Sequence, residues 1–213
     1  MADETGESRR IRILLASRSP ERRRILREIG LTFDAIATDA DEDGGDGLPP
    51  RELVAQLASL KADAALEAHP DYDLVIAADT VVECGGAVLG SPRTEVEARE
   101  MLQQISGRTH RIVTGLVVAR RDGARVCRVV ESEVVFRALD EKTIDAYVRT
   151  GEPLHKAGGY GIQGLGGLFV ERVEGSHTNV RGLPVEAFAD ALDELGLDLF
   201  DLVKPGSLKA DRP

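Results

Sequence analysis

Leu74–Val82 (LVIAADTVV) carries the strongest strand signal in the chain, and its reading decides the fold. So short and apolar a run, rich in Val and Ile, predicts a buried strand. Asp79 interrupts it in the middle. A carboxylate in such surroundings costs several kcal/mol unless it reaches the strand end or meets a cation. Two readings follow. Asp79 is either an ordinary strand-end acid bonding a loop amide, or a carboxylate presented at the carboxyl end of a central strand. Open α/β sheets hold their ligands at that end. There it would ligate Mg²⁺ or activate a water, and Thr80 would add a hydroxyl to the same site.

Upstream, IRILLAS (11–17) predicts a second buried strand running into a loop. Ser19-Pro20 is an N-cap followed by N1 proline, which predicts a helix over 20–29 that stops at Gly30. LTFDAIA (31–37) alternates as a strand, and DADEDGGDGLPP (39–50) is an acidic, glycine-rich loop. Leu53, Val54, Leu57, Leu60 and Ala64 recur at helical spacing over 51–68.

Downstream, residues 84–86 turn into a hairpin with 87–89. Thr94 and Glu97 form the capping box of a helix over 94–105. The β-branched runs 111–120 and 126–136 pair as strands, and a helix over 140–150 closes at Gly151. A glycine-dense loop (157–167) leads to a strand over 168–173, and a last helix covers 184–195. Helices alternate with strands, yet hairpin signals lie among them. The predicted fold is α/β with a mixed sheet. No linker or repeat separates the polar start (1–9) from the tail (204–213), so 10–203 reads as one domain with flexible termini.

Composition narrows the function classes. With 42% apolar and 30% charged residues, the 213-residue chain supports a sizeable core. Its 27 Lys and Arg against 37 Asp and Glu leave a net charge of −10, which argues against binding nucleic-acid polymers or membrane surfaces. No apolar stretch reaches the ~18 residues of a membrane span. MADETGESRR at the start has no apolar run after its charges, which speaks against a secretory signal. Cys84 and Cys127 are too few for a disulfide scaffold or a cysteine zinc site and read as structural thiols. The four histidines lack a ligand spacing. The expectation is a soluble, cytoplasmic protein.

Three further segments carry chemistry. Ser17-Arg18-Ser19-Pro20 enters a helix N-terminus, a ready anion site, with Arg22 and Arg23 in the first turn. Read alone, it is first an ordinary capped surface helix. Five lysines against 22 arginines mark Lys61 and Lys156 as places where a compact point charge is kept, unless they merely sit on solvated faces. KAGGYGIQGLGG (156–167) lets backbone approach a ligand closely, and Gln163 offers a donor and an acceptor suited to a nucleobase edge. A flexible surface loop explains the glycines equally well. It explains less well the Tyr160, Ile162, Leu165 and Leu168 set among them.

Taken together, these stretches resemble the Maf family of nucleoside triphosphate pyrophosphatases. The resemblance rests on LASRSPERRRILREIGL (15–31), the Glu42 region with Lys61-Ala62, and AADTVV (77–82). It continues through SPRTEVEAREMLQQISGRTHRIVTG (91–115), YVRTGEPLHKAGGYGIQGLGG (147–167) and NVRGLPV (179–185). It implies cleavage between the α and β phosphates, releasing the monophosphate and pyrophosphate. It also implies an elongated mixed sheet flanked by helices with a central cleft, akin to the inosine triphosphate pyrophosphatases, a divalent cation (Mg²⁺ or Mn²⁺), and a homodimer.

The resemblance places Asp79 on the general base and Glu42 with Asp79 on the metal. It places Ser17, Arg22, Lys61, Thr80, Arg93, Lys156 and Gln163 on the substrate. Thr80 and Gln163 fall on positions that set base choice and look like the subgroup acting on dTTP and UTP. Three residues depart from that subgroup: Glu21 stands where it has Arg, Ser91 where it has Lys, and His155 where it has Asp. Two other classes stay open. One is a broader pyrophosphatase that clears modified nucleotides; the other is a non-catalytic nucleotide-binding regulator of cell division.

Overall fold

The computed structural model describes residues 11–37 and 47–203. Among them, seven strands form one sheet: β1 (Ile13–Ala16), β2 (Asp34–Ile36), β3 (Leu74–Cys84), β4 (Ala87–Leu89), β5 (Thr109–Arg120), β6 (Arg125–Phe136) and β7 (Val170–Glu174). Their order is β2-β1-β3-β5-β6-β7, with β4 beside β3. The pairs β1–β2 and β1–β3 are parallel and all others antiparallel. The sheet is therefore mixed, as the alternation of helices and hairpins predicts. The helices are α1 (Pro20–Glu28), α2 (Pro50–Ala68), α3 (Glu95–Ile105), α4 (Glu141–Val148), α5 (His177–Val180), α6 (Val185–Glu194) and α7 (Leu199–Leu202).

The join between the parallel and antiparallel parts positions the site. β1 ends at Ala16, whose partner is Ala77. β3 does not end there; it runs on to Cys84, paired with β5 from Leu74↔Arg120 to Glu83↔Arg111. Asp79 thus lies two residues beyond the last β1 partner and five before the end of its own strand. The expectation of a carboxylate at the end of β3 is corrected: the strand that ends is β1. Pairing with β5 carries β3 through the polar position without a break.

Side chains alternate across the sheet. Val75 and Ala77 pack with Ala58, Ala62 and Ala65 of α2, and Val81 with Val54 of the same helix. Ile76 and Ala78 pack on the other face with Ile25 and Leu26 of α1 and Phe188 of α6. Asp79 therefore faces α2, and Thr80 faces α1. The alanine face lets α2 lie close to the sheet. Gly115, directly opposite Asp79, makes the closest approach possible: a Cβ there would sit 2.2 Å from the Val54 carbonyl oxygen.

Elsewhere the strand expected over 31–37 shrinks to Asp34–Ile36, while Leu31 forms a lone bridge to Val203. The strand expected from 168 starts at Val170, because Leu165–Phe169 tightens into a 3₁₀ turn. Leu168 is 67% exposed, so it packs less than its apolar character suggests. α5 and α7, four residues each, are too short to show a period in the sequence. Gly85 and Gly86 take φ of 59° and 86°, the left-handed pair that a two-residue hairpin between β3 and β4 requires.

Candidate active site

A cavity of about 1000 Å³ opens where β1 stops, and Ser17, Arg22, Lys61, Asp79, Thr80, Lys156 and Gln163 all line it. On the α2 face, the Lys61 Nζ donates to Asp79 Oδ1 at 2.5 Å, with the two side chains 12% and 14% exposed. The out-of-place acid has met its cation, which is what a carboxylate in apolar surroundings needs. Of its two readings, the strand-end acid bonding a loop amide is set aside. The pair still borders the cavity, so the carboxylate's remaining lone pairs face a space where a water or an ion fits.

Across the sheet edge, Arg22 of α1 ties three segments together. Its Nε donates to the Gly182 carbonyl at 2.7 Å, Nη2 to Thr80 Oγ1 at 3.0 Å and Nη1 to Ser17 Oγ at 3.3 Å. Ser17 Oγ also accepts from Ser19 N, and Ser19 Oγ caps the helix by accepting from Arg22 N. Thr80 Oγ1 lies 2.9 Å from Thr114 Oγ1. Thr80 and Asp79 are on opposite faces, so the Thr80 hydroxyl joins Arg22 rather than the Asp79 carboxylate. Both still line one cavity because it wraps the edge of β3 that β1 leaves open.

The glycine-rich segment forms the far wall. Gln163 is exposed, and Lys156 donates from Nζ to the Glu152 carbonyl. A Cβ on Gly161 would fall 2.9 Å from Lys156 Cε and 3.2 Å from Gln163 Nε2, so the bare backbone makes room for both side chains. Tyr160, also on the wall, is anchored below by a 2.8 Å hydrogen bond between its hydroxyl and His110 Nε2. Among the described residues, Arg18, Arg22, Lys61, Lys156 and Arg181 line the cavity against Glu21 and Asp79. An acidic protein has gathered a locally cationic pocket, the condition for holding a polyanion.

The sequence profile of the family described as Maf-like protein matches residues 12–195. The chain belongs to the Maf family. It is 46% identical over 191 residues to a dTTP/UTP pyrophosphatase of Anaeromyxobacter dehalogenans, covering 88% of this chain and 96% of that one. A dTTP/UTP pyrophosphatase of Thermococcus kodakarensis is 47% identical over 187 residues, covering 88% and 98%. One of Bacillus thuringiensis is 41% identical over 188 residues, covering 88% and 97%. Among solved structures, the Staphylococcus aureus Ham1 protein is 18% identical with a TM-score of 0.42, over 68% of this chain and 81% of that one.

Of the residues expected on the Maf site, one that the structure describes does not join it. Arg93 is exposed and is not among the lining residues. Its N–H donates to Glu97 Oε2 at 2.7 Å, which leaves the capping box half made: Thr94 Oγ1 accepts from Glu97 N, but Glu97 does not return to Thr94. Glu42 lies outside the described residues. Of the three departures, Glu21 is balanced by Arg181, whose Nε donates to it at 2.5 Å while Nη2 reaches Glu28 at 2.9 Å. Ser91 and His155 both line the cavity, His155 with a φ of 62° and its N–H on the Pro92 carbonyl.

Arg181, Thr114 and Gly115 are the residues that sequence reasoning did not single out. A glycine inside a β-branched strand signals close backbone approach, so Gly115 was detectable. Arg181, one arginine among 22, was not. Among the described residues, no three His, Cys, Asp or Glu converge as a metal cage. Mg²⁺ commonly binds through one or two carboxylates plus substrate phosphates. Among the described residues Asp79 is the one carboxylate on the α2 side of the cavity, and it fits a cation held in that way.

Proposed function

We propose that this chain hydrolyses dTTP and UTP to the nucleoside monophosphate and pyrophosphate. The observation that carries the reading is Asp79, paired with Lys61 on the wall of a cationic cavity large enough for a nucleotide. Names borne by relatives 41–47% identical over most of the chain support the same substrates.

In this reading the triphosphate, with ~4 negative charges, lies along the cationic wall. Asp79 accepts a proton from the water that attacks the α-phosphorus, and pyrophosphate leaves as the α–β bridge breaks. Lys61 holds the carboxylate in place, and Lys156 faces the charge that develops on the leaving group. A divalent cation, held by Asp79 and by Glu42, would neutralise charge on the phosphate oxygens. Gln163 reads the base edge, with Thr80 and Arg22 framing the opposite wall. No covalent intermediate is required; positioning and electrostatics supply the catalysis. A homodimer and a cytoplasmic location complete the proposal. Among the described residues, no helix is long and apolar enough to cross a membrane.

The test is pyrophosphate release from UTP, dTTP, CTP and GTP with Mg²⁺ or Mn²⁺. The expected result is preference for UTP and dTTP, and a loss of ~10²–10⁴ in rate in Asp79→Asn. Near-native turnover in that variant would sink the assignment. Comparable turnover of modified purine triphosphates would favour the broader clearing enzyme.

A further inference from the structure

Behind the cavity wall, and not lining it, Glu152 accepts three hydrogen bonds on its carboxylate. Oε1 takes the Tyr147 hydroxyl at 2.9 Å and the Gly166 N–H at 3.0 Å; Oε2 takes the Leu165 N–H at 3.0 Å. Its backbone carbonyl accepts from Lys156 Nζ. The buried Tyr147 hydroxyl in turn accepts from the Gly161 N–H at 3.3 Å. One carboxylate and one phenol thus grip the loop on both sides of Gln163, at Gly161 and at Leu165-Gly166.

The glycines of this loop match that grip. A Cβ on Gly164 would lie 2.5 Å from Glu152 Oε1, and one on Gly166 2.7 Å from the Tyr147 hydroxyl oxygen. The glycine density therefore serves a carboxylate inside the protein as well as any ligand outside it. A carboxylate that accepts backbone N–H groups fixes those amides strongly, because such bonds are charge-assisted.

We propose that Glu152, with Tyr147, is a positioning residue for base selection: its clasp on the glycine-rich loop sets where Gln163 and Lys156 stand in the cavity. The proposal rests on the reading of Gln163 as the base reader. A side chain that reads hydrogen-bonding edges discriminates only while its own place is fixed, since small displacements cost large factors in rate. Loosening the clasp lets Gln163 wander without touching Asp79 or Lys61.

The experiment compares kcat/KM for UTP with that for CTP in the intact protein and in Glu152→Gln, Tyr147→Phe, Gln163→Ala and the Glu152→Gln/Gln163→Ala double variant, with melting temperatures alongside. The expected result is a UTP/CTP preference that drops about tenfold in Glu152→Gln and about threefold in Tyr147→Phe. The double variant loses no more preference than Gln163→Ala alone, because both changes act through one group. Tyr147→Phe deletes a single hydroxyl and keeps the ring in the core, so it serves should Glu152→Gln fail to fold. A lower melting temperature with an unchanged preference in the clasp variants, beside a collapsed preference in Gln163→Ala, overturns the proposal alone. An unchanged preference in Gln163→Ala overturns the base-reader reading and the proposal with it.

Discussion

The Lys61 ammonium reaches the Asp79 carboxylate at 2.5 Å from a helix that can lie so close to the sheet only because Gly115 has no side chain. Three elements meet in that contact: α2 brings the cation, β3 the acid, and β5 the gap. The ion pair on the cavity wall is thus a consequence of helix-to-sheet distance.

Removing Lys61 is expected to strip the Asp79 carboxylate of a cation and the cavity wall of a charge. Lys61→Ala should lower kcat for UTP by ~10²–10³, the scale of losing one preorganised charged donor. Because the two groups act as a unit, Lys61→Ala in an Asp79→Asn background should cost far less than it does alone. Steady-state pyrophosphate release on the four proteins of the cycle checks this, and simple additivity would contradict it.

Gly115→Ala places a methyl group where the Val54 carbonyl now sits, 2.2 Å away. Backbone must move, so we expect a destabilisation of ~1–3 kcal/mol together with a loss of kcat as Lys61 shifts with α2. Urea unfolding and turnover measured on the same preparation separate the two effects. An alanine variant with intact stability would show that the helix is not held at this distance.

Burial lowers the His110 pKa to about 4 from an ordinary 6.5. His110 is therefore neutral in the fold, while the unfolded chain takes up a proton first as pH falls. The sign follows: this contribution is fully present above pH 6.5 and is lost progressively towards pH 4. Between pH 7 and pH 5 the folded state should lose about 2 kcal/mol through this residue. The window lies above the titration of most carboxylates. Denaturant midpoints at the two pH values, compared with those of His110→Gln, should show the difference shrinking in the variant.

Glu21 puts a negative charge on a wall that otherwise gathers cations, and Arg181 compensates it at 2.5 Å. In Glu21→Gln the pocket becomes more positive, so KM for UTP should fall about two- to fivefold at low ionic strength. The gain should fade in high salt as the charges are screened. A KM that rises instead would assign Glu21 a direct contact with the substrate.

Asp79 was legible because a carboxylate in LVIAADTVV has no reason to be there except a partner or a task. Its partner was not legible. Lys61 lies 18 residues earlier, and only the crossing of α2 over β3 brings the two together. Thr80 shows the opposite case: period-two alternation alone puts it on the other face from Asp79. That the two share a cavity depends on β1 stopping at Ala16, a strand length that no local pattern announces. The clasp by Glu152 could not be read either, since two of its three partners are backbone amides that carry no residue signature.

The different reach of β1 and β3 also bears on motion. Asp79 is fastened to β5 by a ladder that runs the length of its strand, whereas α1 follows directly from the short β1 and the glycine-rich loop is tied by side chains. A nucleotide entering the cavity would thus meet an acid fixed by a backbone ladder, between flanks that bear Arg22 and Gln163 and are held by side-chain hydrogen bonds. Amide hydrogen exchange should record that asymmetry as slow labelling at the middle of β3 and faster labelling on the two flanks that embrace it.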